Sequence, residues 1–186
     1  MKQFLLTVTI LFFFLNVQSQ ITEGNWLVGG SGSFSLQSQN AGTTVPKASN
    51  TNISISPNIG YFVSNRFAVG IMPSYSRSVY SIPISATTQS IYFGPFLKYY
   101  FLNAERNNNL FTQLAYQYGK LISDNGSDQN TNNLTASIGY VVFFNSSVAL
   151  EFKLNYNWYK LSISEVESNT YSFGIGFQIH LEKMIG

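Results

Sequence analysis

Residues 171 to 181 alternate without interruption between two kinds of side chain. One set is apolar and contains Tyr171, Phe173, Ile175, Phe177, Ile179 and Leu181. The other set is small or polar and contains Ser172, Gly174, Gly176, Gln178 and His180. Successive side chains of a β-strand point to opposite faces, so this segment has one apolar face and one polar face. Such a strand is typical of a β-barrel that crosses a membrane, with lipid outside and a polar interior.

The same alternation recurs along the chain and predicts eight strands. The other apolar faces lie within residues 26–34, 53–63, 67–75, 91–101, 110–118, 134–144 and 148–158. An even number of strands lets an antiparallel barrel close with both termini on one side. The sequence therefore predicts an all-β fold, an eight-stranded antiparallel up-and-down transmembrane β-barrel.

The connections between these segments alternate in length. Long polar stretches are expected at 37–51, 77–88, 123–132 and 161–169, and shorter ones at 64–65, 103–109 and 145–147. Outer-membrane barrels place short turns in the periplasm and long loops outside the cell, so both mature termini are expected in the periplasm. Pro57, Pro73 and Pro95 fall within strands, where each removes a hydrogen-bond donor, and we expect local β-bulges there.

Aromatic residues gather toward the ends of the predicted strands, as expected for rings at the two membrane interfaces. Those expected at the short-turn end are Trp26, Phe67, Phe101, Phe111 and Phe144, and those at the other end are Tyr75, Tyr118, Tyr156, Trp158 and Tyr171. Ordinary strand propensity is the alternative explanation for these rings.

The first residues have the composition of a secretory signal peptide. Lys2 precedes an apolar run over 4–15, and compact residues follow at 17–19. This predicts a signal peptide over 1–19 and a single outer-membrane barrel domain over 20–186. Charged residues make up only 10% of the chain, aromatic residues 16%, and there is no cysteine. The basic residues are scattered, which argues against nucleic acid as a partner.

The run from Pro57 to Gly70 resembles the first periplasmic hairpin of small outer-membrane barrels found in Bacteroidetes-type bacteria. These belong to the OmpA-like and OmpX-like barrel superfamily. The last strand is similar to the assembly signal of that family, with Ser172, Gly174 and Phe177 in place and Ile179 where a further aromatic is usual. The resemblance implies outer-membrane lipid and the barrel assembly machinery as partners, and it allows an unidentified extracellular or envelope protein.

Four ionisable residues are predicted on inward faces: Lys98, Glu151, Lys153 and His180. Lys120 is a further candidate for the same interior, together with Asn58, Gln113, Gln117, Asn155 and Gln178. Because charges removed from water must be paired, we interpret the set as a structural polar network. The alternative is an ion path, which an eight-stranded barrel leaves little room for. No catalytic, cofactor-binding or metal-binding residue is predicted, and no cofactor.

Three functions fit this pattern. The first is a non-enzymatic barrel with a structural or surface-interaction role, polar extracellular loops and an interior filled by side chains. The second is a narrow, porin-like transport barrel for small ions or hydrophobic molecules. The third is a secreted lipocalin-like carrier, because the same alternation fits a barrel whose apolar faces turn inward around a ligand. Composition argues against the third function, because a soluble exterior made from Ser, Gly, Asn and Gln with so few charges would be poorly solvated.

Overall fold

The computed structural model describes residues 21–39, 48–81, 86–124, 128–161 and 167–182. The predicted signal peptide, 1–19, lies outside these ranges. The strands are β1 (Trp26–Gln39), β2 (Ala48–Ser64), β3 (Phe67–Ser81), β4 (Ala86–Tyr100), β5 (Asn108–Ser123), β6 (Gln129–Phe143), β7 (Val148–Leu161) and β8 (Glu167–Leu181). Each strand pairs antiparallel with the next, and β8 pairs with β1 to close the barrel. The predicted fold class is confirmed.

The apolar faces of the strands point outward. Phe93, Ile138 and Phe173 are 57%, 63% and 53% exposed, whereas inward neighbours such as Gln113 and Gln178 are buried. A water-soluble protein rarely exposes such a continuous apolar surface. The arrangement is opposite to the one that a lipocalin-like carrier needs. Over the described ranges, no helix is long and apolar enough to cross a membrane.

The strands are longer than the alternation predicted. Pairing between β2 and β3 continues to Ser49 and Ser81, and pairing between β3 and β4 continues to Tyr80 and Ala86. Much of the predicted long connections at 37–51, 77–88, 123–132 and 161–169 is therefore strand. These ends lack a regular apolar face, so the hydrophobic pattern does not reveal them, although their backbone ladders continue.

The predicted bulges at the prolines do not form in the strands that the structure describes. On either side of Pro57 and Pro73, Ile55 pairs with Tyr75 and Ile59 pairs with Ile71, which is one continuous register. The pairing across Pro95 is likewise in register on both sides. A proline removes one donor but does not require an extra residue, so the strands continue without a shift.

The register shift between β2 and β3 lies instead beside their turn, between Phe62 and Ser64. The turn itself is Asn65-Arg66, and Arg66 has a φ of 70°, in the left-handed region. The Arg66 backbone donates to the Ile21 carbonyl and accepts from the Tyr100 amide. These two bonds hold an unfavourable backbone conformation in place.

The chain before β1 packs across the end of the barrel that carries the termini. The Gly24 amide donates to the Phe62 carbonyl, and the Phe62 amide donates to the Asn25 carbonyl, both at 2.9 Å. Ile21 is fully buried in this position. This segment therefore covers one mouth of the barrel.

One seam of the barrel is only partly paired. β1 pairs with β2 along its whole length, from Trp26 to Gln39. Its pairing with β8 runs only from Trp26 opposite Leu181 to Gly32 opposite Ile175. Beyond Gly32 both strands continue, each still paired with its other neighbour. Among the described residues, the wall between β1 and β8 is thus unpaired in the half away from the termini.

Candidate functional site

The interior of the barrel has two parts with different contents. The half nearest the termini, which we call the plug, is filled by buried side chains: Leu27, Phe62, Phe96, Lys98, Tyr100, Phe111, Glu151, Gln178 and His180. The other half, which we call the vestibule, contains a cavity of about 400 Å³ that is lined mainly by hydroxyl and amide side chains.

A buried ion pair lies at the centre of the plug. The ammonium group of Lys98, on β4, contacts the carboxylate of Glu151, on β7, and both side chains are fully buried. Gln178 Nε2 and the Tyr100 hydroxyl donate to the same carboxylate at 3.3 and 3.4 Å. The carboxylate therefore has several donors, which a buried charge requires.

Aromatic rings complete the surroundings of Lys98. Its Nζ lies 4.2 Å from the centroid of the Phe111 ring and 5.3 Å from that of Tyr100. A cation above an aromatic face is attracted to the ring, and the attraction is stronger where water is excluded. The plug thus surrounds its cation with a carboxylate and two rings.

Glycines on nearby strands leave space for the aromatic rings of the plug. A Cβ atom built on Gly70 would lie 2.6 Å from Phe96 Cε1, and one on Gly60 would lie 2.9 Å from Phe96 Cζ. A Cβ on Gly139 would lie 2.6 Å from Phe111 Cε1. Side-chain atoms do not approach so closely, so these positions need glycine for the rings to pack against the wall.

His180 belongs to the plug. Its ring is fully buried and lies 5.4 Å from the Phe143 ring, 5.7 Å from Phe62 and 6.3 Å from Tyr100, measured between centroids. Its backbone amide donates to the Ser147 carbonyl in the turn before β7. The surroundings of this imidazole are mostly aromatic, and it lies at the far end of the interior from the vestibule.

Lys153 lies where the plug meets the vestibule. Its side chain is inward, 5% exposed, and lines the vestibule cavity. It runs past Gly174, where a built Cβ would lie 3.4 Å from Lys153 Cγ and 3.5 Å from Cε. Within the described part of the chain, Lys153 makes no ion pair and no side-chain hydrogen bond. The four predicted ionisable residues are therefore all inside, and Lys98 and Glu151 form an ion pair.

The vestibule wall is built from short polar side chains. Among the described residues, eleven serines line it: Ser31, Ser33, Ser35, Ser54, Ser56, Ser74, Ser76, Ser78, Ser90, Ser137 and Ser172. They lie on the inward faces of the strands, the same faces that carry large side chains in the plug. Because serine is small, the same barrel that is filled at one end leaves open space at the other.

Hydrogen bonds tie this wall together across neighbouring strands. Ser137 Oγ lies 2.7 Å from Asn155 Oδ1, and Thr135 Oγ1 lies 2.9 Å from Asn157 Oδ1. On the other side Ser33 and Ser54 hydroxyls lie 2.6 Å apart. Hydrogen bonds between its own side chains therefore order the vestibule wall.

Gln117 and two tyrosines reach further into the vestibule. Gln117 Nε2 donates to the Met72 carbonyl and the Ser74 hydroxyl at 2.7 Å each, and its oxygen accepts from Asn133 Nδ2 at 3.1 Å. The rings of Tyr92, on β4, and Tyr159, on β7, lie 6.1 Å apart across the lumen. These two strands are not neighbours, so the tyrosines narrow the opening on one side.

Two predicted positions need correction. Phe111 was expected in the outer aromatic girdle, but its ring is 1% exposed and lies in the plug. Lys120 was a candidate for the interior, but it is exposed on the outside of β5. On β5 the inward residues are odd-numbered, including Gln113 and Gln117, and this parity places Phe111 inside and Lys120 outside.

The sequence interpretation also missed the other rings of the plug. Phe62, Tyr100 and Phe143 each stand next to an outward aromatic residue in the sequence, in the pairs 61–62, 99–100 and 143–144. An aromatic pair places one ring on each face of a strand. Such pairs near one end of the barrel are the signal that the interior is apolar there.

Neither the comparison with protein-family models nor the comparison with curated protein sequences finds a match. Solved structures do match. The crystal structure of neisserial surface protein A aligns with a TM-score of 0.55 and 17% identity, covering 86% of this chain and 97% of that one. The outer membrane protein OprG from Pseudomonas aeruginosa aligns with a TM-score of 0.55 and 13% identity, covering 89% and 99%. This chain has the fold of the small bacterial outer-membrane β-barrels.

Proposed function

We propose that this protein is an integral barrel of the bacterial outer membrane that does not conduct and that presents a polar vestibule and polar connections at the cell surface. Its role is structural or one of surface interaction, and it is not an enzyme. The observation that carries the proposal is the division of the interior, with buried side chains filling the half nearest the termini and a polar cavity in the other half.

The apolar outer surface of the barrel favours a location in lipid. Large apolar side chains such as Leu114, Phe177 and Ile71 are 44–47% exposed around the barrel. Trp26, Phe101 and Phe144 are exposed at the end that carries the termini, and Tyr118, Tyr156 and Tyr171 at the other. Amphipathic rings of this kind favour the two membrane interfaces.

The proposal includes the route to the membrane and the orientation. Residues 1–19 act as a signal peptide, and the barrel assembly machinery inserts the chain with both mature termini in the periplasm. The vestibule then opens to the outside of the cell, where a partner from the medium or another envelope protein can reach it. The plug faces the periplasm.

Planar-bilayer recordings test this function. Purified barrel that migrates differently on gels before and after heating is folded, and its insertion should give no conductance steps. Steps that disappear in Glu151→Gln or Lys153→Met would contradict the proposal and favour an ion path through the plug. Recovery of the expressed protein as a soluble periplasmic or secreted form would contradict the membrane location.

Transport of small hydrophobic molecules is a second candidate, and the partly paired seam favours it. Above Gly32 and Ile175 the vestibule wall is not closed by β1–β8 pairing, and Phe34 and Phe173 are exposed beside it. A molecule could pass between the vestibule and the lipid through this gap without crossing the plug.

A cross-link across the seam tests the second candidate. Phe34→Cys and Phe173→Cys would be combined, because continuing the β1–β8 register beyond Gly32 places these residues opposite each other. Uptake of a small hydrophobic dye into cells should fall on oxidation and recover on reduction if the seam is a route. Unchanged uptake in oxidised and reduced cells would remove this candidate.

A further inference from the structure

We infer that the base of the vestibule is a binding site for a small, hydroxyl-rich solute that carries one anionic group, with Lys153 as the group that binds the anion. The inference rests on the proposed function, since it requires the vestibule to open outside the cell. It assigns a class of ligand to the vestibule cavity, whose shape alone does not identify one.

The charges inside the barrel give the first argument. Among the described residues, the inward basic and acidic side chains are two lysines, one glutamate and His180. Glu151 accepts from Lys98, Gln178 and Tyr100, so its carboxylate is already occupied by donors. Lys153 adds a second cation that is attracted to the same Glu151 carboxylate as Lys98, so the described interior holds two ammonium groups for one carboxylate. A buried ammonium without a paired anion is costly, and an anionic ligand would supply the missing partner.

The position of Lys153 gives the second argument. Its side chain lines the cavity, so it is reachable from the vestibule, whereas Lys98 lies below it in the plug. Gly174 beside it adds no side chain, which leaves the stem of the lysine uncovered on that side. A negatively charged group that enters the vestibule meets this side chain at the base.

Unsatisfied amides give the third argument, which concerns the rest of the ligand. The side-chain oxygens of Gln113 and Asn133 are buried at the cavity and have no hydrogen-bond partner within the described residues. Both residues are at least 95% buried. Buried polar atoms normally have a partner, and these two need donors. Both oxygens are covered by neighbouring atoms, so ligand hydroxyl groups donate to them only after the two amides turn toward the cavity. The same hydroxyl groups also accept from the serine hydroxyls of the wall.

The size and shape of the vestibule cavity narrow the class of ligand. A cavity of about 400 Å³ lies within the range of small-molecule sites. Tyr92 and Tyr159 at its side offer rings against which the apolar face of a sugar can pack. An acidic monosaccharide combines the anionic group, the hydroxyls and this face. The anionic group itself can be a carboxylate or a phosphate.

Titrations observed by NMR test the site. Barrel labelled with ¹⁵N in detergent micelles would be titrated with D-glucuronate, glucose 6-phosphate and uncharged glucose. The amide signals of Lys153, Asn155 and Gly174 should shift and saturate with at least one anionic sugar. Glucose should bind about tenfold more weakly or not at all, because it lacks the charge-assisted bond. If only one anionic sugar saturates, it identifies the carboxylate or the phosphate as the preferred group.

Variants separate the site from nonspecific binding. Lys153→Met should weaken the anionic sugar about tenfold or more, whereas Lys153→Arg keeps a cation and should retain most of the binding. The matched control is Lys120→Met, which removes the same charge from the outside of the barrel and should change nothing. The heat-dependent gel shift verifies that each variant is folded.

Three outcomes would overturn the inference: equal binding of glucose and the anionic sugars, undiminished binding in Lys153→Met, or saturable shifts confined to other parts of the barrel. Any of these in a barrel that is membrane-embedded and silent in bilayers refutes the ligand class alone. Conductance through the barrel would instead refute the proposed function.

Discussion

The plug and the vestibule are built from the same strands by the same alternation, yet they differ in chemistry. In the plug, inward positions hold large rings and a paired carboxylate, as in Phe96, Tyr100 and Glu151. In the vestibule, they hold serines and amides, as in Ser54, Ser74 and Asn155. Strand parity sets which residues face inward, and side-chain volume sets whether the interior is filled.

The two regions also differ in how polar groups are satisfied. The Glu151 carboxylate has donors from three other side chains, all within the protein. In the described part of the vestibule, Lys153 makes no ion pair or side-chain hydrogen bond, and the Gln113 oxygen has no hydrogen-bond partner. Satisfied groups stabilise a fold, whereas unsatisfied groups beside a cavity are suited to a ligand. Substitutions in the plug should therefore lower the free energy of unfolding more than substitutions in the vestibule.

The largest effect is expected from Glu151→Leu. Removal of the carboxylate leaves the Lys98 ammonium buried without its anion, which should lower the free energy of unfolding by about 3–5 kcal/mol. Denaturant unfolding of the barrel in lipid vesicles measures it. The double variant Lys98→Met/Glu151→Leu removes both charges and should recover most of the loss. A single variant as stable as the wild type would show that the pair is not essential to the plug.

Phe111→Ala should have the next largest effect. The ring is 1% exposed and packs over Gly139 and the Lys98 ammonium. Its loss leaves a cavity that the rigid wall cannot fill, at a cost of about 3 kcal/mol. Phe93→Ala is the matched control, since that ring is 57% exposed on the outer face of β4. Equal losses in the two variants would contradict the assignment of Phe111 to the plug.

The alternation was sufficient for the barrel but not for its two regions. It predicted all eight strands, their number and the inward faces that carry Lys98 and Glu151, because period-2 patterning follows from strand geometry alone. It failed at the outer strand ends, where serine-rich stretches such as 76–81 have no strong apolar face. It also placed Phe111 outside, because the girdle interpretation considered position along the strand and not parity.

Which lysine pairs with Glu151 could not be predicted from the sequence. Lys98 and Lys153 both have inward parity, and Lys153 is nearer in the chain. The pair forms across the lumen between β4 and β7, which are not neighbours in the sheet. Such a contact depends on the relative heights of strands on opposite sides of the barrel. The partly paired seam between β1 and β8 depends on the same long-range geometry.

A smaller effect is expected from Gln117→Ala in the vestibule. Its amide bonds the Met72 carbonyl, the Ser74 hydroxyl and Asn133. Water in the vestibule can replace part of these bonds, so the free energy of unfolding should fall by about 1–2 kcal/mol. The same denaturant assay measures it. A loss as large as that of Phe111→Ala would mean that Gln117 belongs to the plug.

Ser33→Ala should have the smallest effect. It removes the bond between the Ser33 and Ser54 hydroxyls, at a half-buried position beside the unpaired part of the β1–β8 seam. The free energy of unfolding should change by no more than about 0.5 kcal/mol, because water reaches the hydroxyl that remains. If this variant instead lost as much as Gln117→Ala, the serine wall would carry stability. The polar side chains of the vestibule would then be needed for the stability of the fold, and their composition would no longer argue for a ligand.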